Sequence, residues 1–200
     1  MRKEKELVLR EVIQSVVPLS DESFSESGQY WRSREIKKGD FFNRQNVVCK
    51  DLGIVISGIF RVYYIDPNSQ EEKNVFFFSE KQFIVSFRSF IYQYPCNYFI
   101  EALEDSEIIY IRYTDLQLLY DRSKEWERFG RLLAERFFNY SQSRAEELLF
   151  LNHEERYLLL QQEQANIFDR IHSYHIASYL GIKTPSLSRI RRRLSGQIPL

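Results

Sequence analysis

The sequence predicts an α+β protein: an antiparallel β-roll, closed like a jelly-roll barrel, then one long helix, then a helix-turn-helix. Three patterns carry that prediction. From about Glu35 to Arg112, short β-rich runs alternate with turn residues about every ten positions, which suits an antiparallel roll. From about Glu125 to Leu151, bulky residues recur at alternating three- and four-residue steps. From Ser173 to Leu194 (SYHIASYLGIKTPSLSRIRRRL), apolar, small and turn residues have the spacing of two short helices crossing at a tight turn. The expected domains are a roll with an N-terminal helix at 1–122, the long helix at 123–151 and the helix-turn-helix domain at 152–200.

Each element has a local reason. Glu4 to Val17 reads as an amphipathic helix with Val8, Val12 and Val16 at four-residue spacing, stopped by Pro18. In the roll, Gly39-Asp40 is a turn, and Gly53 to Ile65 is strand-like with a bulge or bend expected at Gly58. Asp66-Pro67-Asn68-Ser69 is a hairpin turn, and Val75 to Phe78, Phe99 to Ala102 and Ile108 to Arg112 supply further strands. The long helix carries Trp126, Phe129, Leu133, Phe137, Tyr140, Arg144, Glu147 and Leu151 on one stripe and would run roughly 40 Å. Its first half is expected to pack on the roll. Its second half is expected to form a homodimer seam through Phe137, Tyr140, Arg144, Glu147 and Leu151. Asn152 then offers an N-cap to a further helix over Asn152 to Leu160, with Glu154 and Glu155 complementing its dipole.

The C-terminal segment carries the functional signal. Ile176 and Leu180 share a face, Ala177 permits close approach, and Gly181 can take the left-handed conformation that redirects the chain. Thr184 is the expected N-cap of the second helix, with Pro185 at its first position and Leu187, Ile190 and Leu194 on its buried edge. Its outer edge carries Ser186, Ser188, Arg189, Arg192 and Arg193, an apolar back with an arginine-rich front that suits a major groove. The chain is neutral overall, with 28 basic and 28 acidic residues. Five basic residues and no acidic one fall within 171–200, which leaves 23 basic against 28 acidic elsewhere. Candidate DNA contacts are therefore Lys183, Thr184, Ser186, Ser188, Arg189, Arg192 and Arg193. The rival reading is a ligand-binding or protein-docking regulatory module without DNA-binding activity, for which the charge asymmetry would be incidental.

Composition excludes other classes. With 44% apolar and 16% aromatic residues the chain is too core-rich for disorder, and no apolar run approaches the ~20 residues of a membrane span. Met1 to Glu11 lacks the apolar centre of a secretion signal, so a cytoplasmic protein without a membrane partner is expected. Cys49 and Cys96 are too few and too far apart in sequence for a zinc or iron–sulfur cage, and a disulfide is not expected in a reducing compartment. His172 and His175 form an H-x-x-H. They are expected as polar lead-ins to the helix-turn-helix, within reach of a phosphate, rather than as metal ligands. No phosphate-cradling glycine loop or nucleophile motif is present, so no catalytic residue, cofactor or metal is expected, and the chain is not read as an enzyme.

Taken in order, these elements resemble the Crp–Fnr family of bacterial transcription regulators over essentially the whole chain. The most specific segment is IASYLGIKTPSLSRIRRRL (Ile176 to Leu194). KKGDFF (Lys37 to Phe42), SGIFRVYY (Ser57 to Tyr64) and EALEDSEIIYI (Glu101 to Ile111) support it. The resemblance implies a cyclic-nucleotide-binding-type roll, a dimerising helix and a base-reading arginine at Arg189. Expected partners are double-stranded DNA, a second copy of the chain and RNA polymerase. Two departures qualify it. Ile84-Val85 stand where cyclic-AMP-binding members carry Gly-Glu, and Asn97-Tyr98 near where they carry an arginine, so cyclic AMP is not the expected ligand. The candidate effector pocket is Phe83, Ser86, Phe87, Arg88, Asn97 and Tyr98, which either holds an unknown small molecule or simply fills the roll. After the second helix only Ser195 to Leu200 remain, so the family's β-hairpin wing is expected to be absent or a stub.

Overall fold

The computed structural model describes residues 3–195; the stub expected beyond Ser195 lies outside them. Helix α1 (Lys3–Gln14) buries Leu9, Val12 and Ile13, so its apolar face is shifted one position from the valine stripe and it ends three residues earlier than expected. A second helix, α2 (Asp21–Ser27), follows Pro18. Ser20 caps it by accepting from the Ser23 N–H at 3.2 Å.

Eight strands follow the spacing of the β-rich runs: β1 (Arg32–Ile36), β2 (Phe41–Asn43), β3 (Asp51–Ser57), β4 (Phe60–Ile65), β5 (Glu72–Phe78), β6 (Phe83–Ile84), β7 (Phe99–Ala102) and β8 (Ser106–Arg112). They form two four-stranded sheets, ordered β1-β8-β3-β6 and β2-β7-β4-β5. This corrects the expectation of a closed barrel. The β6 and β2 strands have two and three residues, too few to carry a hydrogen-bond ladder across a seam. Register is antiparallel, with Arg34 opposite Ile108 and Ile54 opposite Ile109.

The strand-like run from Gly53 to Ile65 breaks where glycine was flagged. Gly58 adopts φ +106°, and a Cβ there would lie 2.0 Å from Ser106 Oγ. At the β4–β5 turn, Asp66 Oδ1 accepts from the N–H groups of Asn68 and Ser69 at 2.8 and 2.9 Å, the side-chain mimicry that makes Asp-Pro-Asn-Ser a turn. The remaining helices are α3 (Phe87–Tyr92), α4 (Tyr113–Arg122), α5 (Lys124–Phe150), α6 (His153–Glu163), α7 (Ser173–Leu180) and α8 (Thr184–Ser195).

The chain divides into two compact units. One comprises the residues up to Val62 together with Phe77–Ser141, the other Tyr63–Phe76 with the residues from Gln142 onward, so the boundary falls inside α5. The first unit has a dry aromatic core, with Phe60, Phe77 and Phe129 fully buried. Phe129 meets Trp126 edge-on at 5.3 Å and Phe83 at 5.9 Å between ring centroids. The second unit joins the turn end of the β4–β5 hairpin to helices. Asn152 forms a reciprocal capping box at the start of α6. Its side chain accepts from the Glu154 and Glu155 N–H groups at 2.9 and 3.1 Å, while the Glu155 carboxylate accepts from the Asn152 N–H at 2.8 Å.

Candidate nucleic-acid interface

Helices α7 and α8 are joined by three residues, and each has a reason to stop or start. Gly181 ends α7 at φ +72°. The Ile182 N–H reaches back to the Ala177 carbonyl at 3.0 Å and the Gly181 N–H to that of Ser178 at 3.1 Å, a Schellman closure. The first carbonyl engaged by α8 is that of Lys183, which accepts from Ser186 and Leu187. Thr184 is therefore already helical and is not the N-cap expected of it. Pro185 still sits in the first turn, where its missing N–H has no intrahelical partner to lose. Beneath the pair, Ile176, Ala177, Leu180, Leu187 and Ile190 are buried, together with Leu160 and Ile167.

The outward edge is polar and cationic. Lys183, Thr184, Ser188, Arg189, Arg192 and Arg193 are exposed and Ser186 is half-buried. All seven predicted residues thus lie on one short helix or the turn before it. Between α8 and the start of α6 is a cleft of about 490 Å³, bordered by Lys183, Ser186, Arg189, Arg193 and His153. Arg189 takes no ion-pair partner among the described residues, so its guanidinium fork is available to an acceptor outside the chain. Arg193 pairs with Glu154 of α6. Ser188 donates to the Thr184 carbonyl at 3.2 Å, so its hydroxyl proton is used within the helix and it presents acceptor capacity outward.

Other residues differ from expectation. His175 is 3% exposed and cannot reach a phosphate. Asn74 Nδ2 lies 3.2 Å from its Nδ1 and donates to its carbonyl at 3.1 Å. Ser178 Oγ accepts from the Asn74 N–H at 3.0 Å and donates to the Glu72 carbonyl at 3.1 Å. No sequence signal within the α7 segment pointed to these β5 residues, since the contact spans about a hundred positions. His172 is exposed. Among the described residues, no group of three or more His, Cys, Asp or Glu is placed to hold a metal.

In the second half of α5, three of the residues expected at a dimer seam, Phe137, Arg144 and Glu147, also make contacts within the chain. Arg144 donates to Glu147 at 2.7 Å and to the Tyr179 carbonyl at 3.0 Å, and its guanidinium stacks 3.8 Å from the Tyr179 ring centroid. Burial pushes the Tyr179 hydroxyl up to about 12. Phe137 stacks on Phe87 at 4.4 Å in the first unit. Tyr140 and Leu151 are half-buried. The exposed apolar residues are instead Phe138, Leu148, Leu149 and Phe150, which the stripe did not include.

Of the candidate effector residues, Phe83 is buried against Phe129 and Phe87 is taken up by Phe137, while Arg88, Asn97 and Tyr98 are exposed. Ser86 Oγ lies 2.9 Å from the buried Cys96 thiol, and the Tyr98 N–H donates to the same sulfur at 3.2 Å.

Residues 33–123 match the cyclic nucleotide-binding domain. Beyond that domain, the fold of most of the chain is shared with solved structures. The catabolite activator protein of Thermus thermophilus aligns at a TM-score of 0.57 with 20% identity, covering 92% of this chain and 88% of that one. The c-di-GMP responsive global regulator CLP of Xanthomonas campestris aligns at 0.64 with 16% identity, covering 88% and 92%. The N-terminal domain of a transcriptional regulator from Streptomyces coelicolor A3(2) aligns at 0.56 with 19% identity, covering 68% and 94%. No curated protein sequence matches significantly. Among the described residues no helix is long and apolar enough to cross a membrane.

Proposed function

We propose that the chain is a sequence-specific DNA-binding transcription regulator of the Crp–Fnr type, acting as a homodimer on a palindromic operator. The observation that carries this reading is the division of α8, which buries Leu187 and Ile190 and turns Ser188, Arg189, Arg192 and Arg193 outward. Arg189, Ser188 and Ser186 read base edges, the arginine through the O6/N7 edge of guanine. Lys183, Thr184, Arg192 and Arg193 hold phosphates. Two copies joined along the second half of α5 present their α8 helices to successive major grooves ~34 Å apart. RNA polymerase is the proposed downstream partner, and the chain works in the cytoplasm.

The roll does not bind cyclic AMP in this reading. Its buried guanidinium, Arg61, is already neutralised by Glu101 at 2.6 Å, and Arg88 faces solvent. A cyclic phosphate would therefore enter without a cation to meet it. An effector of another class would act by favouring one arrangement of the DNA-binding elements.

Selection of genomic fragments by the purified protein, followed by footprinting, tests the reading. A two-fold symmetric site is expected. Arg189→Ala should lower affinity for that site by about 10- to 100-fold while leaving random duplex binding nearly unchanged. Arg193→Ala should weaken both alike and reduce the salt slope by about one unit. Equal losses on both duplexes for Arg189→Ala would remove it from base reading, and failure to retain any duplex at low salt would favour the docking module.

A further inference from the structure

Cys49 and Cys96 lie together in the first unit. Both thiols are free and buried, at 1% and 2% exposure. They flank an antiparallel bridge between Val48 and Pro95, one on each side and on different segments. Both side chains fall on the same face of that bridge. Cys96 Sγ lies 2.9 Å from Ser86 Oγ, immediately before α3. The Tyr98 N–H donates to Cys96 Sγ at 3.2 Å, and Cys49 Sγ lies 3.4 Å from the Asp51 carbonyl. Further out, Ser89 Oγ accepts from the Cys49 N–H at 2.9 Å and holds that segment in place.

We propose that Cys49 and Cys96 form a two-coordinate thiolate site for a soft monovalent d10 cation, of the class of Cu(I). Two buried thiols on one face of the bridge supply a pair of sulfur donors. Among the described residues no third or fourth donor joins them, so an ion that requires four ligands, such as zinc, is not served. A hard cation prefers a shell of oxygen ligands to a pair of thiolates.

The register also argues against a direct disulfide. With Val48 opposite Pro95, the cysteines occupy diagonal positions, whose Cα atoms lie ~7–8 Å apart in an antiparallel pair. That is beyond the usual disulfide range unless the backbone shifts. An interposed ion lengthens the reach by two metal–sulfur bonds of roughly 2.3 Å each.

Binding involves no redox change. Two S–H bonds break, two S–metal bonds form, two protons leave to solvent, and the site carries one net negative charge. The Tyr98 N–H already faces the Cys96 sulfur, and the Ser86 hydroxyl, an acceptor from the thiol, can turn to donate to the thiolate. Burial pushes the Cys49 thiol up to about 12, so without a cation Cys49 stays protonated and inert to electrophiles.

The test titrates the reduced full-length protein against Cu(I) held by a chromogenic chelator. One equivalent per chain is expected to leave the chelator, and Cys49→Ser and Cys96→Ser should each weaken that uptake at least ~100-fold, with melting curves recorded for both variants. No uptake by the wild-type protein, or full uptake by either variant, overturns the proposal. X-ray absorption on the Cu(I)-loaded wild-type protein does not depend on the variants. Two sulfur neighbours support the site; a third sulfur or any nitrogen or oxygen neighbour overturns it.

Discussion

The two halves of α5 use similar residues in opposite ways. In the first, Trp126, Phe129 and Leu133 are buried and the charged residues face outward. In the second, Phe138, Leu149 and Phe150 are 71%, 76% and 76% exposed, while the Arg144 and Glu147 side chains are only 13% and 14% exposed. Burial here follows the neighbours rather than the residue type. The first half lies in a unit rich in aromatic surface and packs by area. The second lies in the smaller unit and is pinned through hydrogen bonds and one stacked guanidinium, leaving its bulky side chains uncovered.

The largest effect should come from breaking the area-packed half. Phe129 is fully buried between Trp126 and Phe83, so Phe129→Ala removes a ring and leaves a cavity. A loss of about 3–5 kcal/mol is expected in urea unfolding. A loss under ~1 kcal/mol would mean that the aromatic cluster is not what holds this half of the helix.

The pinned half should respond less, and differently. Arg144→Ala strands the Glu147 carboxylate and the Tyr179 carbonyl and removes the stacking partner of the Tyr179 ring. A cost of about 2 kcal/mol is expected, below the 3–5 typical of breaking a fully buried pair, because these groups keep some access to water. Adding Glu147→Gln should recover part of the loss, since the uncompensated charge goes with it. Strict additivity of the two changes in a double-mutant cycle would show that they do not act as a pair.

The same contrast explains what was legible in the sequence. The span of α5 was readable to one residue at each end, because its spacing persists for 27 residues and Asn152 marks the next start. The Gly58 corner and the Asp66 turn were readable because each depends on one residue's chemistry. The face of α5 beyond Phe137 was not. Phe137-Phe138 and Leu148-Leu149-Phe150 put apolar residues on adjacent stripes, so periodicity alone does not choose between them. The i, i+3 spacing of Arg144 and Glu147 was a signal for an intrahelical ion pair rather than a seam. The outward edge of α8 was readable, since one amphipathic helix separates its own faces. The place of His175 was not, since its partner, Asn74, comes from a strand about a hundred positions earlier.

The smallest effect on the single chain belongs to the uncovered stripe, and there the dimer proposal meets its sharpest test. Phe138 and Leu149 are eleven positions apart, three helical turns, and so share a face with Ala145 between them. Phe138→Glu with Leu149→Glu should change the unfolding free energy of the chain by less than ~0.5 kcal/mol, because neither ring nor branch is lost from a core. In sedimentation equilibrium the same double variant should move from dimer to monomer, since two carboxylates would have to be buried unpaired at the seam. It should then bind a single half-site at best and lose the palindromic footprint. A variant that stays dimeric would move the seam off this stripe and onto the half-buried Tyr140 and Leu151, whose replacement would then cost both folding and assembly at once.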